Sequence, residues 1–78
     1  MELESDIKLI IAKMLAVDSG EITEDAHLMF DLGADSLAQV NLGIAIGEKY
    51  GIELLDDEMV ELENVGELIS LVESRIKP

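Results

Sequence analysis

The spacing of the apolar residues constrains this chain most, because in three segments they recur every three or four positions. Such a repeat places side chains on one stripe of a helix. No segment alternates apolar and polar residues for long enough to indicate a strand. The chain has 78 residues and no cysteine, so it can build one core but neither a disulfide nor a thiolate metal site. We therefore predict a single all-helical domain over residues 1–78.

The first helix should run to about Leu15, with a buried stripe formed by Leu3, Ile7, Ile10, Ile11 and Met14. Residues 17–34 have no sustained period and contain two turn signals, Ser19-Gly20 and Leu32-Gly33. We predict a long loop here that holds a short helical turn. Five apolar residues are expected to pin this loop to the core: Ile22, Leu28, Met29, Phe30 and Leu32.

The second helix should begin at Asp35-Ser36, which can cap free N–H groups, and end at Tyr50-Gly51, where Gly permits a left-handed stop. It carries two apolar stripes on nearly opposite sides, Leu42, Ile46 and Tyr50 against Leu37, Val40 and Ile44. One stripe can face the core, and the other needs a different cover. Gly43 and Gly47 lie one turn apart, which indicates either a close helix neighbour or a crease for a carried group.

Two further helices complete the predicted bundle. A short third helix should start at the acids Asp56, Asp57 and Glu58, which suit the positive end of a helix, and carry Met59, Val60 and Leu62. Asn64 and Glu67 form the pattern of a capping box at the start of the fourth helix. Its apolar residues are Val65, Leu68, Ile69, Val72 and Ile76. The expected architecture is a four-helix bundle of three long helices and one short one.

The net charge of −13 limits the partners of the chain. Binding to nucleic acid or to anionic lipid depends on Lys and Arg, so neither partner is expected. Apolar residues make up 49% of the chain, too many for a disordered acidic tail, so the charge should lie on the surface of a folded domain. A basic protein partner complements this charge. The chain shows no targeting segment and no membrane-spanning stretch, which predicts a cytoplasmic protein.

Residues suited to catalysis are scarce. His27 is the only histidine and has no Cys or second His beside it, so we interpret it as a solvated loop residue. The carboxylates do not match a calcium loop, and Asp31 with Asp35 would make a weak metal site. The sequence predicts no enzyme, no catalytic residue and no dedicated metal site.

The most specific segment is the run D-L-G-A-D-S-L from Asp31 to Leu37. On a purely structural interpretation, Gly33 supplies a turn, Asp35 caps the second helix and Ser36 occupies its first turn. On a functional interpretation, the Ser36 hydroxyl lies among free N–H groups at a positive helix end, where a phosphate ester is favoured. The residues of this run alone leave both interpretations open.

The whole chain resembles the acyl carrier proteins, the phosphopantetheine-bearing helical domains of fatty-acid and polyketide synthesis. The resemblance rests on this run, on the pattern of the first helix and on three short segments, Glu21-Ile22-Thr23 with Leu28, Tyr50-Gly51-Ile52 and Asn64-Val65. It implies a freestanding carrier whose Ser36 receives 4′-phosphopantetheine from coenzyme A and holds acyl groups as thioesters on that arm. A separate phosphopantetheinyl transferase would activate the hydroxyl, so the chain needs no base of its own.

The resemblance also implies roles for other residues. Asp35 and Leu37 flank the attachment serine, and the second helix would contact partner enzymes through Leu37, Val40, Asn41, Ile44 and Glu48. An acyl pocket would be lined by Leu42, Ile46, Leu54, Met59, Leu62 and Leu68. The implied partners are the transferase and the acyl-transferring and chain-modifying enzymes that have basic or apolar docking patches. The carrier is expected to be a monomer.

The charge pattern departs from that of familiar fatty-acid carriers. Ala38 and Asn41 stand where acids are common in that family, whereas the segment from Glu53 to Glu67 holds seven acids and no base. Because charges near a docking surface select partners, we expect a specialised carrier. Aminoacyl, peptidyl and D-alanyl carriers share the architecture, although Gly33-Ala34-Asp35 favours an acyl cargo. The alternative from another class is an unmodified acidic helical module for protein interaction.

Overall fold

The computed structural model describes residues 2–76, which form four α-helices and one short 3-10 turn. The helices are α1 (Glu2–Leu15), α2 (Ser36–Tyr50), α3 (Asp56–Glu61) and α4 (Val65–Ile76), and the 3-10 turn is Ser19–Glu21. Within this range there is no strand, only an isolated antiparallel bridge between His27 and Asn64. The predicted four-helix bundle with a long first loop is confirmed. No helix in the described range is both long and apolar enough to span a bilayer.

The stripe on α1 faces the core through Ile7 and Ile11, which are fully buried. Leu3 and Ile10 pack at the edge of the core. The prediction for Met14 was wrong, because its side chain is 43% exposed. The helix ends one residue later, and Leu15 and Val17 pack against the core at this end in its place.

The first loop is pinned to the core by Ile22, Leu28 and Leu32, as predicted, whereas Met29 and Phe30 are exposed. The reason is a helical turn in which the N–H groups of Asp31 and Leu32 both bond to the carbonyl of His27. Leu28 and Leu32 lie four residues apart and share the inner side of this turn, so the two residues after Leu28 point outward. Phe30 is 81% exposed.

Backbone hydrogen bonds dock this loop onto the start of α4. The N–H of Leu28 bonds to the carbonyl of Glu63 at 2.9 Å, and the N–H of Val65 bonds to the carbonyl of Ala26 at 3.1 Å. The capping box at α4 is displaced by one residue. Asn64 accepts from the N–H of Glu67, but the Glu67 carboxylate accepts from the N–H of Glu63 at 2.8 Å.

The two glycines of α2 allow close packing. A Cβ atom on Gly43 would lie 2.6 Å from Cγ of Met59, and one on Gly47 would lie 2.7 Å from the carbonyl oxygen of Ile52. Both distances are too short for a real contact, so α3 and the chain before it lie against α2 only because these positions have no side chain. Of the two interpretations that the sequence left open, close packing accounts for both glycines.

Candidate functional site

The start of α2 is fixed by Asp35 and not by Ser36. Oδ1 of Asp35 accepts from the N–H of Ala38 at 2.9 Å, and its carbonyl accepts from the N–H of Gln39 at 2.9 Å. Just before it, Gly33 has a φ of 77°, a conformation that Gly adopts without strain. The run from Asp31 to Leu37 therefore turns sharply and enters the helix with its cap already supplied.

Ser36 is the first residue of α2 and its side chain is exposed. In the described part of the chain its hydroxyl makes no hydrogen bond, so a substituent on this oxygen would break no hydrogen bond there. The first N–H groups of a helix lack intrahelical partners, and Asp35 occupies that of Ala38. The N–H groups of Ser36 and Leu37 remain at the positive end of the helix, beside the hydroxyl. A phosphodiester on this oxygen fits the site sterically and electrostatically.

The two stripes of α2 face different surroundings. Leu42 and Ile46 are fully buried, and Tyr50 is half-buried with its hydroxyl oxygen enclosed and unpartnered. On the other side Leu37 and Ile44 are 69% and 54% exposed. Val40 is half-buried, so the outer stripe is less open than the sequence pattern indicated. Asn41 and Glu48 are exposed on the same helix.

The residues expected to line an acyl pocket meet in one core. Leu42, Ile46, Met59 and Leu68 are fully buried, Leu54 is 9% exposed, and Leu62 packs at the edge. Leu62 lies one residue beyond α3, not within it. Beside this core, an open groove of about 330 Å³ runs between α2 and the segment 51–54, with Gly43 and Gly47 among its lining residues.

His27 has a structural role that the sequence did not indicate. Its Nδ1 accepts from the N–H groups of Met29 at 3.1 Å and Phe30 at 3.2 Å, and its ring lies 4.4 Å from that of Phe30. Its own N–H bonds to Oδ2 of Asp31 at 2.7 Å. His27 lies in the loop, as interpreted, but it is half-buried and not fully solvated, and its ring caps the turn that precedes the site. Among the side chains that the structure describes, no three of His, Cys, Asp or Glu are placed to share a metal ion.

Gln39 was also missed by the sequence patterns. It is 1% exposed, and its Nε2 donates to the carbonyls of Met59 and Leu62, each at 3.1 Å. A signal existed in the spacing, since Gln39 precedes Leu42 by three residues and lies on the core stripe of α2. A polar residue on such a stripe requires a buried partner.

The acids after α2 are mostly exposed, and one of them has a cationic partner. Glu58 pairs with Arg75 of α4, whose Nη1 also donates to the carbonyl of Glu53 at 2.8 Å. The hydrogen bond from Arg75 lowers the pKa of Glu58 below its usual 4.5, assisted by the N–H of Leu55. Elsewhere, a hydrogen bond to Glu4 raises the pKa of Glu24.

Comparison with known proteins agrees with this geometry. The family described as "Phosphopantetheine attachment site" matches residues 5–72. The chain is thus a phosphopantetheine-bearing carrier, and its cofactor is covalently attached 4′-phosphopantetheine. The acyl carrier proteins of Helicobacter pylori (strain G27) and Helicobacter acinonychis (strain Sheeba) are each 41% identical over 73 residues, 94% of this chain and of theirs. The chain belongs to the acyl carrier protein family.

A solved structure supports the fold. It is the solution structure of the apo doublet acyl carrier protein from prodigiosin biosynthesis, which superposes with a TM-score of 0.80. The match covers 99% of this chain and 40% of that longer one, with 16% sequence identity. At this identity the likeness establishes the helical architecture alone.

Proposed function

We propose that Ser36 is the attachment point of the 4′-phosphopantetheine and that the chain presents acyl thioesters on this arm to partner enzymes. The observation that carries the proposal is that Ser36 stands exposed at the first position of α2 while Asp35 does the capping. In the transfer, the Ser36 oxygen bonds to the phosphorus that bears the pantetheine, and adenosine 3′,5′-bisphosphate leaves coenzyme A. The hydroxyl proton passes to a base of the transferase. When bound, the arm supplies a terminal thiol for the thioester.

The residues of this chain would hold the attachment point in place. Asp35 fixes the first turn of α2, so the Ser36 oxygen keeps one position relative to the helix axis. The N–H groups of Ser36 and Leu37 face the same end of the helix, where the dipole favours the charge of a phosphodiester. Neither contribution is catalytic, and we infer that the chain acts as a carrier without an active site of its own.

The outer side of α2 is the proposed docking surface for partners. Leu37 and Ile44 are exposed, Val40 is half-buried between them, and Asn41 and Glu48 supply its polar positions. Leu37 lies directly beside the attachment serine. The fitting partners are a phosphopantetheinyl transferase and acyl-transferring or chain-modifying enzymes with apolar or basic docking patches. In this proposal the chain works as a cytoplasmic monomer, with residues 1–78 as one carrier domain.

The proposed cargo is an acyl group of fatty-acid, polyketide or related lipid synthesis. Ala38 and Asn41 leave the surface around Ser36 with few charges, and this supports a specialised rather than a housekeeping carrier, because charges there steer the encounter with partners. The pocket candidates Leu42, Ile46, Leu54, Met59, Leu62 and Leu68, of which all but Leu62 are buried, would receive a carried chain that leaves the solvent.

Intact mass spectrometry tests the attachment. The apo protein is incubated with a phosphopantetheinyl transferase and coenzyme A, alongside Ser36→Ala and the control Ser70→Ala, which alters another exposed serine. We expect the wild type and Ser70→Ala to gain the mass of one phosphopantetheine and Ser36→Ala to gain none. No gain in the wild type would favour the unmodified interaction module, and a gain in Ser36→Ala would move the attachment elsewhere.

A further inference from the structure

Gln39 is the one polar side chain buried in the core of the described residues, and it lies one turn after Ser36. Burying an amide without partners is costly, so such a residue is retained only where its hydrogen bonds are satisfied. Here Nε2 donates to the carbonyls of Met59 and Leu62 at 3.1 Å each. The bonds join the first half of α2 to the C-terminal end of α3.

These bonds matter for α3 because that helix is only six residues long. The last carbonyls of a helix have no intrahelical partners, so a short helix depends on groups from outside to satisfy them. Gln39 does this from a neighbouring helix, whereas the N–H of Leu62 bonds to Met59 less closely at 3.3 Å. The end of α3 is therefore capped by α2.

The next turn of α2 packs closely against α3 at Met59 as well. Gly43 follows Gln39 by four residues, and a Cβ there would lie 2.6 Å from Cγ of Met59. Met59 is fully buried and is held at its carbonyl by Gln39 and at its side chain by the Gly43 surface. At the other end of α3, Arg75 binds Glu58 from an exposed position, where ion pairs are weak. The hydrogen bonds that hold α3 from the buried side are therefore those of Gln39.

Resting on the proposed attachment at Ser36, we propose that Gln39 is a latch that determines which carried chains enter the core. An apolar chain gains by leaving water, and its gain grows with each methylene. Entry between α2 and α3 moves α3 away from α2. This movement breaks both hydrogen bonds of the Gln39 side-chain amide and leaves the amide without a partner in apolar surroundings. Short groups stay in solvent, and only chains whose burial outweighs this loss displace α3.

The first test uses the apo protein and does not depend on attachment. Gln39→Met keeps the length and helix propensity of the side chain but removes the donor. Lys49→Met is the matched control, an exposed polar side chain replaced by Met at the far end of the same helix. We expect amide hydrogen exchange in α3 to be about 25-fold faster in Gln39→Met, since two neutral hydrogen bonds are lost and each corresponds to about a fivefold change. Lys49→Met should match the wild type, and wild-type exchange in Gln39→Met would overturn the latch.

The second test uses holo proteins loaded with an acetyl or a decanoyl group. We expect the decanoyl group to raise the unfolding midpoint of Gln39→Met, relative to acetyl, by at least about 4 °C more than it does in the wild type. A merely structural Gln39 would shift both loaded forms equally. Equal decanoyl gains in the two proteins, or none in either, contradict the proposal. If no protein can be loaded at all, the attachment at Ser36 fails while the exchange result stands.

Discussion

Oδ1 of Asp35 accepts the N–H of Ala38 at 2.9 Å, and this single bond separates the two functions that the start of α2 must serve. One function is to end the loop and begin the helix, and a carboxylate at the N-cap does this well. The other is to present a hydroxyl, and Ser36 does this because the capping position before it is already filled. The helix begins at Ser36 for structural reasons that do not involve its side chain.

Replacement of the cap should weaken the fold without touching the hydroxyl. Asp35→Ala removes the acceptor for Ala38, and we expect a loss of about 1 kcal/mol and a midpoint about 4–8 °C lower in thermal unfolding of the apo protein. Asp35→Asn is the matched variant, because Asn caps as well as Asp without the charge. It should unfold close to the wild type. Equal midpoints for Asp35→Ala and the wild type would show that the cap does not stabilise α2.

Helix propensity alone predicts that Gly→Ala substitutions in α2 stabilise the protein, whereas the packing around Gly47 predicts that they destabilise it. Gly47→Ala gains about 1 kcal/mol of propensity, but its Cβ meets the backbone oxygen of Ile52, and such overpacking costs about 1–3 kcal/mol. We expect a net loss of up to about 2 kcal/mol in denaturant unfolding. Gly43→Ala should lose less, because Met59 is flexible. Gly20→Ala, with open space around it, is the control. A more stable Gly47→Ala would refute close packing at this position.

The Glu58 and Arg75 pair predicts a pH dependence. Arg75 lowers the pKa of Glu58 below 4.5 in the folded state. The ionised Glu58 therefore contributes to the free energy of unfolding above its unfolded pKa, and this contribution is lost as the pH falls through the folded pKa. Glu58→Gln should therefore unfold earlier than the wild type at pH 7, and the difference should shrink at pH 3. Since the pair is partly exposed, 1 M salt should also reduce the difference at pH 7. A difference that stays constant across these conditions would contradict the assignment.

The low charge of α2 next to Ser36 predicts slow reaction with the enzymes of general fatty-acid synthesis. The holo protein should react more slowly with housekeeping fatty-acid synthase enzymes than a housekeeping carrier does. Ala38→Asp with Asn41→Glu restores acids beside the attachment point and should raise that rate, mainly through faster association. Lys49→Glu makes the net charge more negative at the far end of α2 and serves as the control. Turnover equal to that of a housekeeping carrier in the unaltered chain would remove the case for specialisation.

The sequence predicted those parts of the fold that depend on neighbouring residues. Asp35 and Gly51 mark the ends of α2 because capping and the left-handed stop are local effects, and Gly51 has the expected φ of 68°. Positions decided by distant packing were harder. Met14 and Phe30 lie on apolar patterns but outside the core. Leu15 and Val17 pack against the core at the end of α1 in place of Met14, and the helical turn in the first loop points Phe30 outward.

The same difference between local effects and distant packing applies to the candidate site. Ser36 could be singled out because the run around it is specific, whereas the roles of His27 and Gln39 depend on partners that only the fold supplies. The partners of Gln39, Met59 and Leu62, are 20 and 23 positions away from it in the sequence. A local pattern can indicate that such a polar residue needs a partner, but it does not identify the partner.

In the proposed function one oxygen of this chain, that of Ser36, carries the arm. Trypsin cleaves after Lys13 and Lys49, so residues 14–49 form one peptide with three candidate hydroxyls, those of Ser19, Thr23 and Ser36. Fragmentation of this peptide from the transferase-treated protein locates the phosphopantetheine directly. We expect every modified fragment to contain Ser36 and every fragment that ends before Ser36 to be unmodified. A modified fragment without Ser36, or a peptide without any modification, would contradict it.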